Sequence, residues 1–315
     1  MDCYILSVQD LADKNKISES LFSFLTNYSI TKCWIDTKMS SSFGVPIIYP
    51  SRFTNVEDIK RLYPGLTVKR FDDFSSYFSF LKKRVKKEKA VIAFDRYYLD
   101  YILPKRHMGA HYVVVKHVSE DHVITYFDYY DKKMHTMTLS ELKSATEETE
   151  NVIQYEGYVV LYNEFLDSHL ENVCDKEIKD ILEIRVRNLE ESIDFLKKQI
   201  EEHVKDERLC KFYFKLALGG ITYSDFRQQN GRYENYEFFK SLNLKFEKFA
   251  AFLICKMYVA FALIEGVAYK KSVITERRWK LFCRRYMRIT KFELWFYRKV
   301  LGRHKLISKH LKAII

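Results

Sequence analysis

Residues 95–131 read DRYYLDYILPKRHMGAHYVVVKHVSEDHVITYFDYYD, and this stretch decides the fold. Tyr112 to Lys116 is a β-branched run with an aromatic lead, and Val123 to Phe127 is another. The polar Ser-Glu-Asp-His segment between them has the chemistry of a turn, so the two runs predict a β-hairpin. His111 heads the first strand and Asp128 ends the second, and in an antiparallel pair those ends are neighbours. A carboxylate beside an imidazole, with Cys3 far upstream, points to a thiol nucleophile, a base and an orienter.

On either side of the hairpin the pattern stays short and apolar. Residues 44–50, 66–71 and 90–95 read as strands, the last as a central one, and Phe74 to Val85 as a helix running into a solvated basic end. After the hairpin come a strand at 133–138, a helix starting at Leu139, and a strand at 157–162 that closes the sheet. Residues 3–28 read as two helices. Ile5, Val8, Leu11 and Ala12 share one face of the first, and Ser18 caps a second carrying Leu21, Phe22, Phe24 and Leu25. Asp2 is the expected N-cap, which puts Cys3 in the first turn, where the positive end of the helix dipole favours a thiolate. The negative charge of Asp2 opposes that effect. A lone cysteine is more often a small buried apolar residue. The helix start and the His–Asp hairpin together lift Cys3 above Cys33, Cys174, Cys210, Cys255 and Cys283. A helix followed by a mostly antiparallel sheet carrying His and Asp is the α+β order of a papain-like fold.

Four pieces carry a family resemblance: DCYILS (2–7), ISESL (17–21), FDRYYLDY (94–101), and His111 and Asp128 in the hairpin. In order and spacing they resemble the N-terminal family of BtrH from butirosin biosynthesis, in which a nucleophilic cysteine begins a helix. The likeness covers roughly the first half of the chain. It implies a papain-like cysteine acyltransferase of natural-product biosynthesis, moving an acyl or aminoacyl group from a carrier-protein thioester to an amine. In that reading Cys3 is the nucleophile, His111 the base and Asp128 the orienter, with Asp131 and Asp121 as competitors for the last role. Asp95 and Tyr98 stand at the rim and hold the acceptor amine; the plainer reading of Asp95 is a buried strand-end carboxylate capping a turn. Papain-like enzymes usually carry a side-chain amide just upstream of the cysteine. Only Met1 and Asp2 precede Cys3, so either the oxyanion donors are the Cys3 N–H and a group from elsewhere, or the site is impaired.

The second half differs in kind. Apolar residues recur at helical spacing from Ile178 to Ile200, again over 236–269 and again over 272–313, where Trp279, Leu281, Phe292, Trp295, Phe296 and Leu301 are the expected core. The division expected is a papain-like catalytic domain at 1–165 and a basic helical domain at 166–315. From Lys270 onward fifteen Lys and Arg face only Glu276 and Glu293, while the whole chain carries +11. Such an excess is either a solvated helix face or a surface for an anionic partner. The resemblance makes that partner an acidic acyl or peptidyl carrier protein, docked by Arg284, Arg285 and Arg288, with the helical half walling the acceptor cleft. The acceptor would be an amine-bearing small molecule or peptide. The only cofactor is then the phosphopantetheine arm of the partner. Nucleic acid ranks lower for want of a recognised motif, and a membrane surface is a third option.

Other classes find little support. The 47% apolar and 30% charged residues are ordinary for a soluble globular protein, and four prolines with nine glycines argue against long disordered linkers. Six cysteines without a paired framework read as reduced thiols in a cytoplasmic protein. The N-terminus lacks the basic-then-apolar run of a signal peptide. The most apolar stretch, 249–264, is short for a membrane span and reads as a buried helix, so no transmembrane segment is expected. His107, His111, His117 and His122 lack thiolate or carboxylate partners at metal spacing, and neither a Walker loop nor GxGxxG occurs. Two alternatives to acyl transfer remain: a cysteine hydrolase, peptidase or thioesterase, using the same triad, and a binding module with a degenerate site.

Overall fold

A computed structural model describes residues 3–12, 24–25, 33–36, 47–50, 65–102, 110–147, 158–164, 175–201, 210–211, 214, 231–271 and 273–313. In chain order the elements are α1 (Cys3–Ala12), β1 (Cys33–Asp36), β2 (Ile47–Pro50), β3 (Leu66–Phe71), α2 (Phe74–Val85), β4 (Ala90–Asp95), a 3-10 turn (Arg96–Tyr98), β5 (Ala110–Val118), β6 (Ile124–Asp128), β7 (Lys133–Met137), α3 (Leu139–Glu147), β8 (Tyr158–Asn163), α4 (Asp175–Glu201), α5 (Gly231–Ser241), α6 (Lys245–Lys271), α7 (Glu276–Leu301) and α8 (His304–Lys312). The fold class is α+β. The chain forms two compact units, 1–17 with 59–169 and 18–58 with 170–315.

In the first unit six strands among the described residues form one antiparallel sheet in the order β3-β8-β4-β5-β6-β7. The strand expected to close the sheet does not lie at its edge. β8 enters between β3 and β4, and Leu161 pairs with both Val68 and Val91. β4 is a continuous apolar run because both its faces are covered. Ile92 and its neighbours Val113 and Val160 join the core formed with Tyr77, Leu81 and Val85 of α2 and Leu142 of α3. Val91, Val114 and Leu161 share the opposite face and are also buried. α1 packs on β4, β5 and β8. Leu6, Ser7, Val8, Gln9 and Leu11 are all buried, so burial among the described side chains extends round more than one face of this helix.

The β5–β6 hairpin turns through Ser119–His122. His122 has φ 63°, a left-handed conformation that His tolerates better than β-branched residues. Ser119 closes the turn, its Oγ accepting the Val123 amide at 3.0 Å. A register shift between Val115 and His117 marks a bulge.

In the second unit α4 packs on α7, α5 on α6, α6 on α7, and α8 on α4, with the antiparallel pair β1–β2 beside α4. The division expected at 165/166 is not the one seen, because residues 18–58 group with the helices. Phe24 stacks on Phe238 at 3.7 Å, and the buried Arg185 donates to the Phe24 carbonyl at 3.0 Å. Phe24 and Leu25 are helical and buried, whereas the expected cap Ser18 lies outside the described residues. Trp279 and Phe296 are core residues, but Trp295, expected there too, is exposed. The stretch 249–264 also departs from expectation. It belongs to the 27-residue α6, which is long and apolar enough by length and composition to cross a membrane, and much of its apolar surface is exposed.

Candidate active site

The site is set by the alignment of α1 with β5. Cys3 is the first residue of α1, half-buried, and its side chain hydrogen-bonds the His111 ring. One turn on, Ser7 Oγ donates to the Tyr112 carbonyl at 3.2 Å. Near the helix end, the Asp10 carboxylate accepts Lys116 at 2.7 Å and Lys89 at 2.8 Å. Three contacts in sequence along both elements fix helix and strand side by side, with the sulfur and the imidazole at the same end. Asp10 is held below the usual carboxylate range: burial alone would raise it, and the two lysines more than offset that.

His111 is buried, and its Nε2 lies 2.7 Å from Asp128 Oδ2. Nδ1 is therefore the ring nitrogen left for Cys3. Asp128 is fully buried at the end of β6 and is the hub of a network. Tyr101 Oη donates to Oδ2 at 2.7 Å, and the Tyr130 amide donates to Oδ1 at 2.7 Å. Tyr101 in turn stacks on His135, with ring centroids 3.8 Å apart, and His135 pairs with Asp131 at 2.9 Å.

The electrostatics follow from this arrangement. Burial would lower the His111 pKa, but the charge of the Cys3 sulfur and the hydrogen bond and charge of Asp128 push it up to about 10. Asp128 is held low: burial opposes this, and the bond and charge of His111 outweigh it, with smaller help from the Tyr130 amide and Tyr101. The Tyr101 hydroxyl is raised far above its ordinary range by burial, Tyr126 and Asp128, so it stays a proton donor.

No model of a known family matches this chain, and no curated protein matches it.

Of the three aspartates weighed as orienter, Asp128 contacts His111, Asp131 serves His135, and Asp121 is an exposed turn residue. Asp95 is buried at the end of β4, where its Oδ1 accepts the Tyr97 amide at 2.9 Å across the 3-10 turn. Tyr98 is half-buried and packs against the core. In the second unit Arg284 and Arg288 are exposed, while Arg285 donates to the buried Glu265 at 2.8 Å and is held by that ion pair. Met1 and Asp2 lie outside the described residues. Tyr101 and Tyr130 join the site through the structure alone. Tyr101 does close the FDRYYLDY run, but nothing in its spacing ties it to Asp128. Among the described residues no group of three His, Cys, Asp or Glu is placed to hold a metal.

Proposed function

We propose that this chain is a cysteine-dependent acyltransferase that takes an acyl or aminoacyl group from a thioester and delivers it to an amine, in natural-product biosynthesis. The papain-like, BtrH-type reading of the first unit belongs to this proposal, as does a carrier protein as donor, docked through Arg284 and Arg288. The observation that carries it is the continuous chain of contacts Cys3–His111–Asp128 in a buried setting, with His111 held protonated beside the sulfur. That same contact weighs against a degenerate binding module, which would not need the sulfur and imidazole in contact.

The chemistry runs in two halves. The Cys3 thiolate attacks the thioester carbonyl, and the tetrahedral intermediate expels the carrier thiolate, which takes the His111 proton. One thioester replaces another, so little free energy is lost. Acylation removes the negative charge on sulfur, the largest influence holding His111 up, and the neutral imidazole becomes the base the second half requires. The amine then attacks the acyl-enzyme, His111 takes its proton, and the Cys3 thiolate leaves as the amide forms. Asp128 fixes the ring through Nε2 and stays ionised throughout.

Hydrolysis would use the same residues with water as acceptor. The test is product partition. The chain is incubated with a small acyl thioester and a panel of primary amines, and amide and free acid are quantified by mass spectrometry. Amide should dominate with at least one amine class and vanish in Cys3→Ala. Free acid alone, whatever the amine, would replace the reading with a thioesterase.

A further inference from the structure

We propose that the outward face of α6 docks the second unit on an anionic lipid surface. This goes beyond acyl transfer and does not depend on it.

The helix carries two carboxylates, Glu247 and Glu265, and both are buried. Glu265 pairs with Arg278 and Arg285 of α7, and Glu247 with Arg303. The opposite side presents two apolar patches, Phe246, Phe249, Phe252 and Leu253 toward one end and Leu263, Ile264 and Val267 toward the other, each spaced to share that side. Phe249 is 64% exposed, Ile264 59% and Val267 54%. A 27-residue helix is about 40 Å long, and the two patches lie on one side of it, on either side of Lys256, rather than as a scatter of single residues. Among the described side chains the exposed charges along it are Lys245, Lys256 and Lys270, at both ends and near the middle. At one end the first patch meets the exposed Trp295 of α7, whose ring lies 6.4 Å from that of Phe246.

Charge selects the occupant. A second copy laid antiparallel on this side would bring Lys256 near its twin and Lys245 near the partner's Lys270, with no exposed carboxylate on the helix to compensate. Anionic headgroups meet all three ammonium groups favourably, and the acyl boundary accepts the Phe and Leu rows between them. Phe246 and Trp295 are the aromatic pair suited to that interface. Although α6 has the length and hydropathy to span, its inward face is tied by ion pairs to α7 and its neighbouring Arg303, and α7 exposes Arg277, Arg284, Arg288 and Lys291. The helix therefore lies in the plane of the interface, apolar side down.

The test is co-sedimentation of the full chain with phosphatidylcholine vesicles, with and without phosphatidylglycerol, read alongside Trp295 emission against a Trp295→Phe control. Binding and a blue shift are expected with phosphatidylglycerol and little of either without it. Phe249→Asp with Ile264→Asp, and separately Lys245→Glu with Lys256→Glu and Lys270→Glu, should each weaken binding roughly tenfold or more. Both sets are exposed, so helix content by circular dichroism and the rate of Cys3 alkylation should not change. Cys3→Ala should bind vesicles like the parent chain, which separates failure of the acyl-transfer reading from failure of this one. Absence of vesicle binding would overturn the proposal. So would equal binding to both vesicle types, or self-association in sedimentation velocity that Phe249→Asp with Ile264→Asp abolishes.

Discussion

Asp10 and Lys116 form an ion pair at 2.7 Å that joins the helix beginning with Cys3 to the strand carrying His111. The pair is remote from the sulfur yet fixes the helix along the strand. Asp10→Asn leaves Lys89 and Lys116 facing each other without a counter-charge. It should cost about 1–3 kcal/mol in urea denaturation, discounted toward the lower end because both lysines are partly exposed. The folded pKa of Asp10 is depressed, so its contribution is present above the unfolded value near 3.8 and is lost as pH falls through the lower folded value. Stability of the parent chain and of Asp10→Asn should therefore converge in acid, and a gap that widens there would contradict the pairing.

Asp128→Asn preserves shape and keeps an acceptor for the Tyr130 amide, but removes the charge beside His111. The imidazole then holds its proton less firmly beside the Cys3 sulfur. Alkylation of Cys3 by iodoacetamide at neutral pH should slow roughly tenfold, a loss of about 1.4 kcal/mol of interaction with the imidazolium. An unchanged rate would remove Asp128 from the site.

Tyr101→Phe retains the stack on His135 and loses only the hydroxyl donated to Asp128. As a positioning residue, Tyr101 should affect turnover about three- to tenfold while KM for a small thioester stays constant. A change in KM alone would place it at the substrate instead.

The titration of His111 has a stability signature. Its folded value, about 10, lies above the ordinary 6.5, so its contribution is complete below about 6.5 and is lost as pH rises through about 10. In urea denaturation the advantage of the parent chain over His111→Gln should shrink steadily across that window. A constant difference would mean that His111 is not held protonated.

Cys210, Cys255 and Cys283 are buried, whereas Cys3 is half-buried beside the His111 ring. Peptide mapping after brief iodoacetamide treatment should find Cys3 labelled ahead of these three thiols.

The hairpin, α2, β4 and the long helices were legible because each follows a local period, and local periods need no knowledge of the rest of the chain. The meeting of Cys3, His111 and Asp128 was legible because two of the three sit at neighbouring ends of one hairpin. What escaped was non-local. β8 inserts between β3 and β4, and residues 18–58 join the second unit through Phe24 and Arg185, because pairing and packing choose among equally apolar partners. Tyr101 reaches Asp128 only because the chain after β4 returns over the end of β6. Trp295 and the outer face of α6 depart from the sequence pattern for a different reason. Apolar spacing predicts a buried face, and an apolar helix carries no sequence mark of which side has a partner.

In the proposed reaction Cys3 carries the acyl group. The most direct measurement of this is intact-mass and peptide-map spectrometry after brief exposure to a small acyl thioester. A single acyl mass should appear on the peptide containing Cys3, be discharged as amide when an amine is added, be absent in Cys3→Ala, and form more slowly in His111→Asn. A chain that acquires no adduct, or acquires it equally with His111→Asn, would contradict the assignment.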